Sequence, residues 1–317
     1  MNQTAMERIS EAQLFFGLRQ EASVEKDLEV TKAISALATM DGTPFQLIFG
    51  GGTAVARAHR LTERMSEDVD FKIILPPGHL GMGRDKLRKE LSALRHKAAT
   101  ALAEAGFVFD ETNRDHVRSG DENRYILFQL PYLSEFDRDA VLRPHIKIEL
   151  AWNPILRPPV ERSVSSFVAQ AFQESPEVSM VLTIDPTETA AEKLVALTRR
   201  SAKEAAGLEG VDRDVSLVRH IYDLHKMLPQ LDIREVGNLA REVMDLDAKK
   251  YGNQFEAYRT DPVIQSRAGM QALAENPDYA QRYAQFTQSM VYGEVPSFDI
   301  ALKSVATLME AATQGRL

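Results

Sequence analysis

The chain of 317 residues has 38 Lys and Arg against 46 Asp and Glu, a formal net charge of −8, and 44% of its residues are hydrophobic. Because it contains no cysteine, disulfides, thiolate metal sites and cysteine nucleophiles are excluded. The acidic balance argues against a protein that coats nucleic acid, but it is compatible with a local basic groove for one RNA end. The N-terminal residues lack the apolar core of a signal peptide and no segment is apolar over the thickness of a bilayer, so we expect a cytoplasmic protein without membrane contact.

The first 160 residues predict helices and strands in an interrupted order. Helices are expected over 5–20 and 24–40, with a short helix over 54–61 and an amphipathic helix over 84–105. Strands are expected over 45–49, 68–75, 107–109, 125–130 and 145–150. The three strands that follow the long helix indicate antiparallel pairing beside the first two.

Beyond residue 160 the composition shifts toward helix. A strand is expected over 178–184, and the segment 185–188 (Asp-Pro-Thr-Glu) predicts a helix start, because Asp is a good N-cap and Pro is accepted at the first helical position. Residues 201–212 are expected to form a loop, 213–228 a helix, and 232–317 a mostly helical remainder. The sequence therefore predicts an α+β protein with one domain over 1–160 and a mainly helical domain over 161–317.

A glycine triplet and two aspartates one residue apart carry the main chemical signal. Residues 50–52 are glycines between an apolar strand and a short helix, which permits close backbone approach and offers free N–H groups to an anion. Successive strand residues point to opposite faces, so Asp68 and Asp70 share one face while Val69 and Phe71 point into the core. Two neighbouring carboxylates repel each other unless a cation lies between them. The pattern therefore predicts a divalent metal beside a phosphate site, as a nucleoside triphosphate requires.

The sequence pattern does not decide the roles of three further polar residues. Glu149 belongs to the alternating strand 145–150, so it is either a third metal carboxylate or one residue of a water-facing strand surface. Lys193 borders the apolar stripe of its helix and either reaches into a cleft or extends along the surface to solvent. Asp223 lies opposite the apolar stripe of its helix, where a surface ion pair with Arg219 is the simplest interpretation. The order of that pair along the helix is the weaker one, which favours another purpose for Asp223.

Several of these segments together resemble one known family. Residues 51–53 (Gly-Gly-Thr), followed by 64–70 (Arg-Met-Ser-Glu-Asp-Val-Asp), resemble the signature of the AbiEii/MenT-type nucleotidyltransferase toxins of the polymerase-β-like nucleotidyltransferase superfamily. The strand 147–149 (Lys-Ile-Glu) and the helical segment 185–197, with Glu188, Glu192 and Lys193, are similar to later elements of that family. Residues 219–224 (Arg-His-Ile-Tyr-Asp-Leu) also fit, although His220 stands where many members have Asp. The resemblance covers about residues 45–228.

The resemblance implies a fold, a reaction and a set of residues. The fold is a polymerase-β-like nucleotidyltransferase core, a mixed twisted sheet flanked by helices, with a helical C-terminal domain that completes the active-site cleft. The reaction is transfer of a nucleoside monophosphate from an NTP by a toxin of a toxin–antitoxin, or abortive infection, system. Its expected acceptor is the 3′ end of tRNA and its expected partner a cognate antitoxin protein. The implied roles are Mg²⁺ or Mn²⁺ binding by Asp68, Asp70 and Glu149, nucleotide binding by Gly51, Gly52, Thr53, Ser66 and Arg64, and catalysis by Asp68, Asp70, Lys193 and Asp223.

Three other functions are compatible with the same residues. An enzyme of this fold could modify a small molecule such as an aminoglycoside, or it could nucleotidylate a protein. A protein of another class, a catalytically silent nucleotidyltransferase-like binding module, is the third alternative. The presence of both aspartates and of Lys193 argues against a silent module.

Overall fold

The computed structural model describes residues 3–79, 81–138, 142–208, 214 and 216–314. The chain divides into two compact units, one of residues 1–60 and 64–184 and the other of residues 61–63 and 185–317. The predicted domain boundary after residue 160 differs from this division, because residues 160–183 contribute two strands to the sheet of the first unit.

The first unit is built on a seven-stranded mixed sheet flanked by helices, which confirms the predicted α+β class. The strand order is β3-β4-β5-β2-β1-β7-β6, so β2 lies at the centre. The strands are β1 (Gln46–Gly50), β2 (Asp68–Ile74), β3 (Val117–Gly120), β4 (Tyr125–Pro131), β5 (His145–Trp152), β6 (Val160–Val164) and β7 (Val178–Thr183). The helices are α1 (Gln3–Phe16), α2 (Glu21–Thr39), α3 (Gly51–Thr53, continued by a π-helical turn Ala54–Ala58), α4 (Arg84–Glu104) and α5 (Phe167–Ala171).

The central strand β2 pairs with β1 in antiparallel and with β5 in parallel orientation. Its residues alternate as predicted, with Val69 and Phe71 buried on the face that helices α2 and α4 cover. Burial of each such side chain contributes about 1.5–3 kcal/mol, which makes the register of β2 costly to change. The opposite face of the same strands is polar and includes Asp68 and Asp70.

The prediction of a strand over residues 107–109 is wrong. Helix α4 is followed by Gly106 with φ +92°, after which Phe107 packs into the core and Val108 is exposed without a strand partner. The edge strand of this region is instead β3, ten residues later. Strand β6 was not predicted, because an edge strand with one exposed face is largely polar and lacks the apolar run of a buried strand.

The second unit is mainly helical, as predicted for this half of the chain. Its helices are α6 (Pro186–Ala205), α7 (Arg219–Met227), α8 (Ile233–Tyr251), α9 (Glu256–Thr260), α10 (Pro262–Glu275), α11 (Pro277–Met290) and α12 (Phe298–Thr313). Helix α6 begins at the expected N-cap, where Asp185 accepts a hydrogen bond of 2.8 Å from the Thr187 backbone N–H. It continues through residue 205, so the predicted loop over 201–212 starts later than expected, and its last residues, 209–212, lie outside the described part of the chain.

Helices α6 and α10 approach each other closely at a glycine. A side chain at Gly269 would overlap with the backbone carbonyl of Thr198, so the contact requires a residue without Cβ. Among the helices of the described residues, none has both the length and the apolar composition needed to cross a membrane.

Candidate active site

Three carboxylates lie on neighbouring positions of the polar sheet face. In the parallel pairing of β2 with β5, Asp70 is the partner of Glu149 and Asp68 is the partner of Lys147. Paired residues on adjacent strands point to the same face, so Asp68, Asp70 and Glu149 share it. The predicted alternation of β5 is confirmed, because Ile146 and its apolar neighbours are buried on the other face.

Cations of the chain itself contact two of these carboxylates. The guanidinium of Arg143 donates to Asp68 Oδ1, and Lys147 Nζ lies 2.5 Å from Glu149 Oε1. Tyr125 also donates a hydrogen bond of 2.8 Å to Glu149 Oε1. Burial alone would lower the pKa of Lys147, but Asp68 and Glu149 outweigh this effect and raise it. Both cations are therefore fully charged at neutral pH.

Burial and the charge of Glu149 raise the pKa of Tyr125, so its phenol stays protonated and acts as a donor. Because its only proton is directed at Glu149 Oε1, Tyr125 fixes the orientation of that carboxylate. Lys147 approaches the same oxygen, so the two donors act together on one atom.

The donor set of this face suits a hard divalent cation. Mg²⁺ and Mn²⁺ prefer carboxylate oxygens, and Asp68 and Asp70 offer such oxygens from one face of one strand. Within the described ranges, no group of three or more His, Asp or Glu side chains is close enough to form a complete metal cluster. Asp68 and Asp70 therefore suit a divalent ion by their chemistry, but metal binding by them, and by Glu149, which Lys147 and Tyr125 contact, stays a prediction.

The glycine turn touches the second aspartate directly. Gly51 has φ +70°, and a Cβ at this position would overlap with Asp70 Oδ2. A Cβ at Gly52 would lie 2.5 Å from Arg64 Nη2, inside van der Waals contact. Gly51 is therefore favoured both by its backbone conformation and by close approach, whereas a side chain at Gly52 would have to displace the end of Arg64. The turn places the backbone at the start of α3 beside Asp70.

The polar side chains around the turn are buried and bonded to each other. Thr53 is fully buried; its hydroxyl donates to the backbone carbonyl of Asp68 and lies 2.8 Å from Ser66 Oγ. Arg64 is 3% exposed and donates to the Met65 carbonyl over 2.9 Å. These residues hold the glycine turn against the start of β2. Their predicted contact with nucleotide stays a prediction.

A second pair of predicted residues meets inside the helical unit. Lys193 of α6 donates a hydrogen bond of 2.8 Å to Asp223 Oδ2 of α7, and their side chains are 8% and 0% exposed. Both surface interpretations of these residues are thus wrong, because neither side chain extends to solvent. A charge-assisted bond of this kind is about twice as strong as a neutral one and fixes the position of the ammonium.

His220 lies near this pair. Burial, and next the positive charge of Lys193, lower the pKa of His220 well below its usual value, so the imidazole is neutral at pH 7. Its Nδ1 is buried and has no hydrogen-bond partner among the described residues. The aspartate that many family members have at this position is therefore replaced here by an uncharged side chain.

Sequence reasoning missed Tyr125 and Arg143, which contact the carboxylate face, and Lys26, which lies on α2 behind it. Lys26 bonds to Glu67, the residue before Asp68. A signal for it existed: Lys26 lies one helical turn before Val30 on the apolar stripe of α2, where an unpaired charge would be costly. Arg143 lies in a polar segment before β5 and had no such signal.

The comparisons with known proteins agree on one kind of protein. No curated protein matches the chain. Among solved structures, MenT4, a nucleotidyltransferase toxin from Mycobacterium tuberculosis H37Rv, matches with a TM-score of 0.53 and 16% sequence identity. The match covers 98% of this chain and 94% of that one, and at this identity it shows the fold.

The sequence model of a family described as "Nucleotidyl transferase AbiEii toxin, Type IV TA system" matches residues 40–304. This range includes the whole segment of the sequence resemblance and extends well beyond it. The chain therefore belongs to the AbiEii nucleotidyltransferase toxins of type IV toxin–antitoxin systems.

Proposed function

We propose that the protein transfers a nucleoside monophosphate from an NTP to the 3′ end of tRNA, in the cytoplasm and in a metal-dependent reaction. The 3′ hydroxyl oxygen attacks the α-phosphorus and its proton passes to solvent, the bond from that phosphorus to the β-bridging oxygen breaks, and pyrophosphate leaves. The observation that carries the proposal is the shared sheet face of Asp68 and Asp70 beside the glycine turn. Family membership supports the reaction class, and the sequence resemblance supports tRNA as the acceptor.

Asp68 and Asp70 are the residues that would hold Mg²⁺ or Mn²⁺, with Glu149 as the proposed third carboxylate. A bound divalent ion supplies Lewis acidity to the phosphoryl oxygens and lowers the pKa of the attacking hydroxyl. Arg143 and Lys147 keep the carboxylates charge-balanced and oriented until they receive the ion. Tyr125 directs one oxygen of Glu149 by donating to it.

The glycine turn is the proposed cradle for the triphosphate. Gly51 and Gly52 carry no side chains of their own, so phosphate oxygens can approach their backbone N–H groups closely. Thr53 and Ser66 support the turn from inside, since both are buried and bonded to each other, and the buried side chain of Arg64 lies against Gly52. A substitution that fills the turn should therefore weaken nucleotide binding.

Lys193 is the proposed group that neutralises negative charge on the departing pyrophosphate. Asp223 orients it, because its carboxylate accepts from Lys193 Nζ over 2.8 Å. His220 adds no charge to this pair at neutral pH, since burial keeps its imidazole unprotonated. A cognate antitoxin, as expected for a toxin of this family, is the proposed partner that restrains the activity.

The test is a labelling experiment with three acceptor classes. The protein is incubated with each α-³²P-labelled NTP, Mg²⁺, total tRNA and cell extract, and the products are separated into tRNA, protein and small molecules. Label in tRNA supports the proposal, and intact tRNA lacking its 3′ hydroxyl should then take up none. Label in protein or in a small molecule shows another acceptor, and no label in any fraction favours a silent binding module.

A matched control variant distinguishes loss of the proposed metal ligand from a nonspecific effect of removing a carboxylate. Asp68→Ala should abolish labelling, whereas Asp121→Ala, at an exposed carboxylate of the same unit, should leave it unchanged. Labelling by Asp68→Ala at the wild-type rate would contradict the proposed metal site. The same pair of variants can be scored for growth inhibition in cells.

A further inference from the structure

A buried lysine on α2 is bonded to the segment that carries the metal carboxylate. Lys26 is 0% exposed, and its Nζ lies 2.5 Å from Glu67 Oε2. It also donates to the backbone carbonyls of Arg143, over 2.7 Å, and His145, over 3.1 Å. An ammonium has three N–H donors, and here each has an acceptor.

Glu67 extends this connection to both sides of the site. It is buried, and it directly precedes Asp68 in the chain. Its Oε2 accepts a second hydrogen bond of 3.1 Å from the backbone N–H of Arg143. Glu67 therefore ties the start of β2 to Arg143, two residues before β5, while Lys26 ties both to α2.

Arg143 connects Lys26 and Glu67 to the Asp68 carboxylate. Its backbone N–H is held by Glu67 and its carbonyl by Lys26, so the main chain at this residue is fixed at two points. Its guanidinium donates to Asp68 Oδ1. The orientation of the Asp68 carboxylate thus depends on a chain of contacts that begins at Lys26.

The next residue of α2 shows that a buried ion pair does not by itself lead to the site. Asp27 pairs with Arg57 over 2.9 Å, and both side chains are buried. The remaining contacts of that pair go to the Ser165 carbonyl and the Phe167 backbone N–H, at the start of α5. Asp27 therefore offers a control of the same kind, on the same helix, bonded to a different part of the unit.

We propose that Lys26 is a positioning residue of the active site: through Glu67 and Arg143 it holds the Asp68 carboxylate in the orientation that receives the divalent ion. This inference rests on the proposed function, because it assumes that Asp68 is a metal ligand. Groups that orient a metal ligand typically change metal affinity 10–100-fold when they are removed. Lys26 should act in this way although its side chain never reaches the ion.

The test measures Mn²⁺ binding directly, from the loss of the electron paramagnetic resonance signal of free Mn²⁺. Lys26→Met, which keeps the length of the side chain without its charge, should weaken Mn²⁺ binding about tenfold or more. Asp27→Asn should bind Mn²⁺ as the wild type does, even where its melting temperature falls. Lys26→Arg, which keeps the charge, should recover part of the affinity. The Mg²⁺ concentration that gives half-maximal labelling should shift in the same order.

Two controls keep the outcomes separate. If Lys26→Met does not fold, the double variant Lys26→Met/Glu67→Met removes both buried charges, a change that buried pairs often tolerate, and it should also bind Mn²⁺ weakly. Wild-type affinity in Lys26→Met or the double variant, or equal weakening in Asp27→Asn, would overturn the inference. If wild type and Asp68→Ala bind Mn²⁺ equally, the proposed metal site fails and the inference fails with it.

Discussion

Lys193→Met is the substitution that tests catalysis in the helical unit. It removes the ammonium that lies 2.8 Å from Asp223 Oδ2 and leaves a carboxylate that is 0% exposed without its cation. Loss of one partner from a buried pair costs about 3–5 kcal/mol. For a unit of this size, the melting temperature should then fall by on the order of 10 °C. If Lys193 also stabilises the departing pyrophosphate, nucleotide transfer should fall at least ~100-fold.

A matched variant on the same helix controls for the loss of stability. Arg199 of α6 pairs with Asp247 over 2.5 Å, and their side chains are 8% and 14% exposed. Arg199→Met should therefore lower the melting temperature by a similar amount. It should keep nucleotide transfer within a few-fold of wild type at a temperature where both variants are folded. The assay is transfer of α-³²P label to tRNA, with folding checked by circular dichroism.

A double variant completes the test. Lys193→Met/Asp223→Leu removes both charges, so much of the lost stability should return, because buried pairs can be replaced by apolar residues. Nucleotide transfer should not return with it. The reasoning is refuted if activity recovers together with stability, or if Arg199→Met loses activity in the same proportion as Lys193→Met.

Three further predictions follow from other contacts. Gly51→Ala should lower nucleotide transfer on the order of 100-fold while costing only about 1–2 kcal/mol of stability, because the methyl group displaces the Asp70 carboxylate and φ is positive; near-normal transfer would contradict it. Gly269→Ala should lower the melting temperature without changing Mn²⁺ affinity, since the new Cβ overlaps with the Thr198 carbonyl of the neighbouring helix, and an unchanged melting temperature would argue against this packing. Burial, opposed by its arginine partner, raises the pKa of Asp27 from 3.8 to about 6. The folded state therefore binds this proton more tightly than the unfolded state, so wild-type stability falls as pH rises from about 4 to 6. The cost of Asp27→Asn in urea unfolding should shrink by about 2 kcal/mol from pH 4 to pH 7; a cost that grows with pH would reverse the sign.

The sheet face could be predicted because its information is local. The period of two along β2 assigned Asp68 and Asp70 to one face without knowledge of the fold, and the period along β5 assigned Glu149 to the polar face of its own strand. That these two faces coincide follows only from the pairing of β2 with β5. The N-cap at Asp185 was equally local, since capping depends on residues within one turn. The wrong prediction of a strand over 107–109 shows where local information ends. An apolar triplet fits either a strand or a loop that packs into the core, and only its pairing with other strands distinguishes the two.

The rest depended on partners that are distant in sequence. Asp223 appeared to face solvent because the helical wheel describes one helix, whereas its partner Lys193 lies 30 residues earlier on another. The contact of Arg143 with Asp68 spans 75 residues and joins a polar segment to a strand. No local period can predict such contacts. For Lys26 the sequence did contain a signal, although it was missed, because a charge on the apolar stripe of a helix requires a partner.

The register of β5 carries a consequence for how the chain selects its own pairing. In the observed register, Asp68 faces Lys147, but Asp70 faces Glu149, and like charges in direct opposition cost roughly 0.2–1 kcal/mol. If β5 slipped by two residues, Asp70 would face Lys147 and Lys72 would face Glu149, with opposite charges at both positions. The apolar face would survive the slip, because the side-chain period is two.

Because the apolar face and the charge pairs do not favour the observed register, other contacts of β5 must stabilise it. The carbonyls of residues 143 and 145, at the start of β5, are bonded to Lys26. These bonds, together with the pairing of β5 with β4, favour the observed register, in which Asp70 faces Glu149. A choice of register by cross-strand charge pairs alone would reject the observed one, because Asp70 and Glu149 repel each other there. The same unfavourable pair is what places two carboxylates side by side on the sheet face.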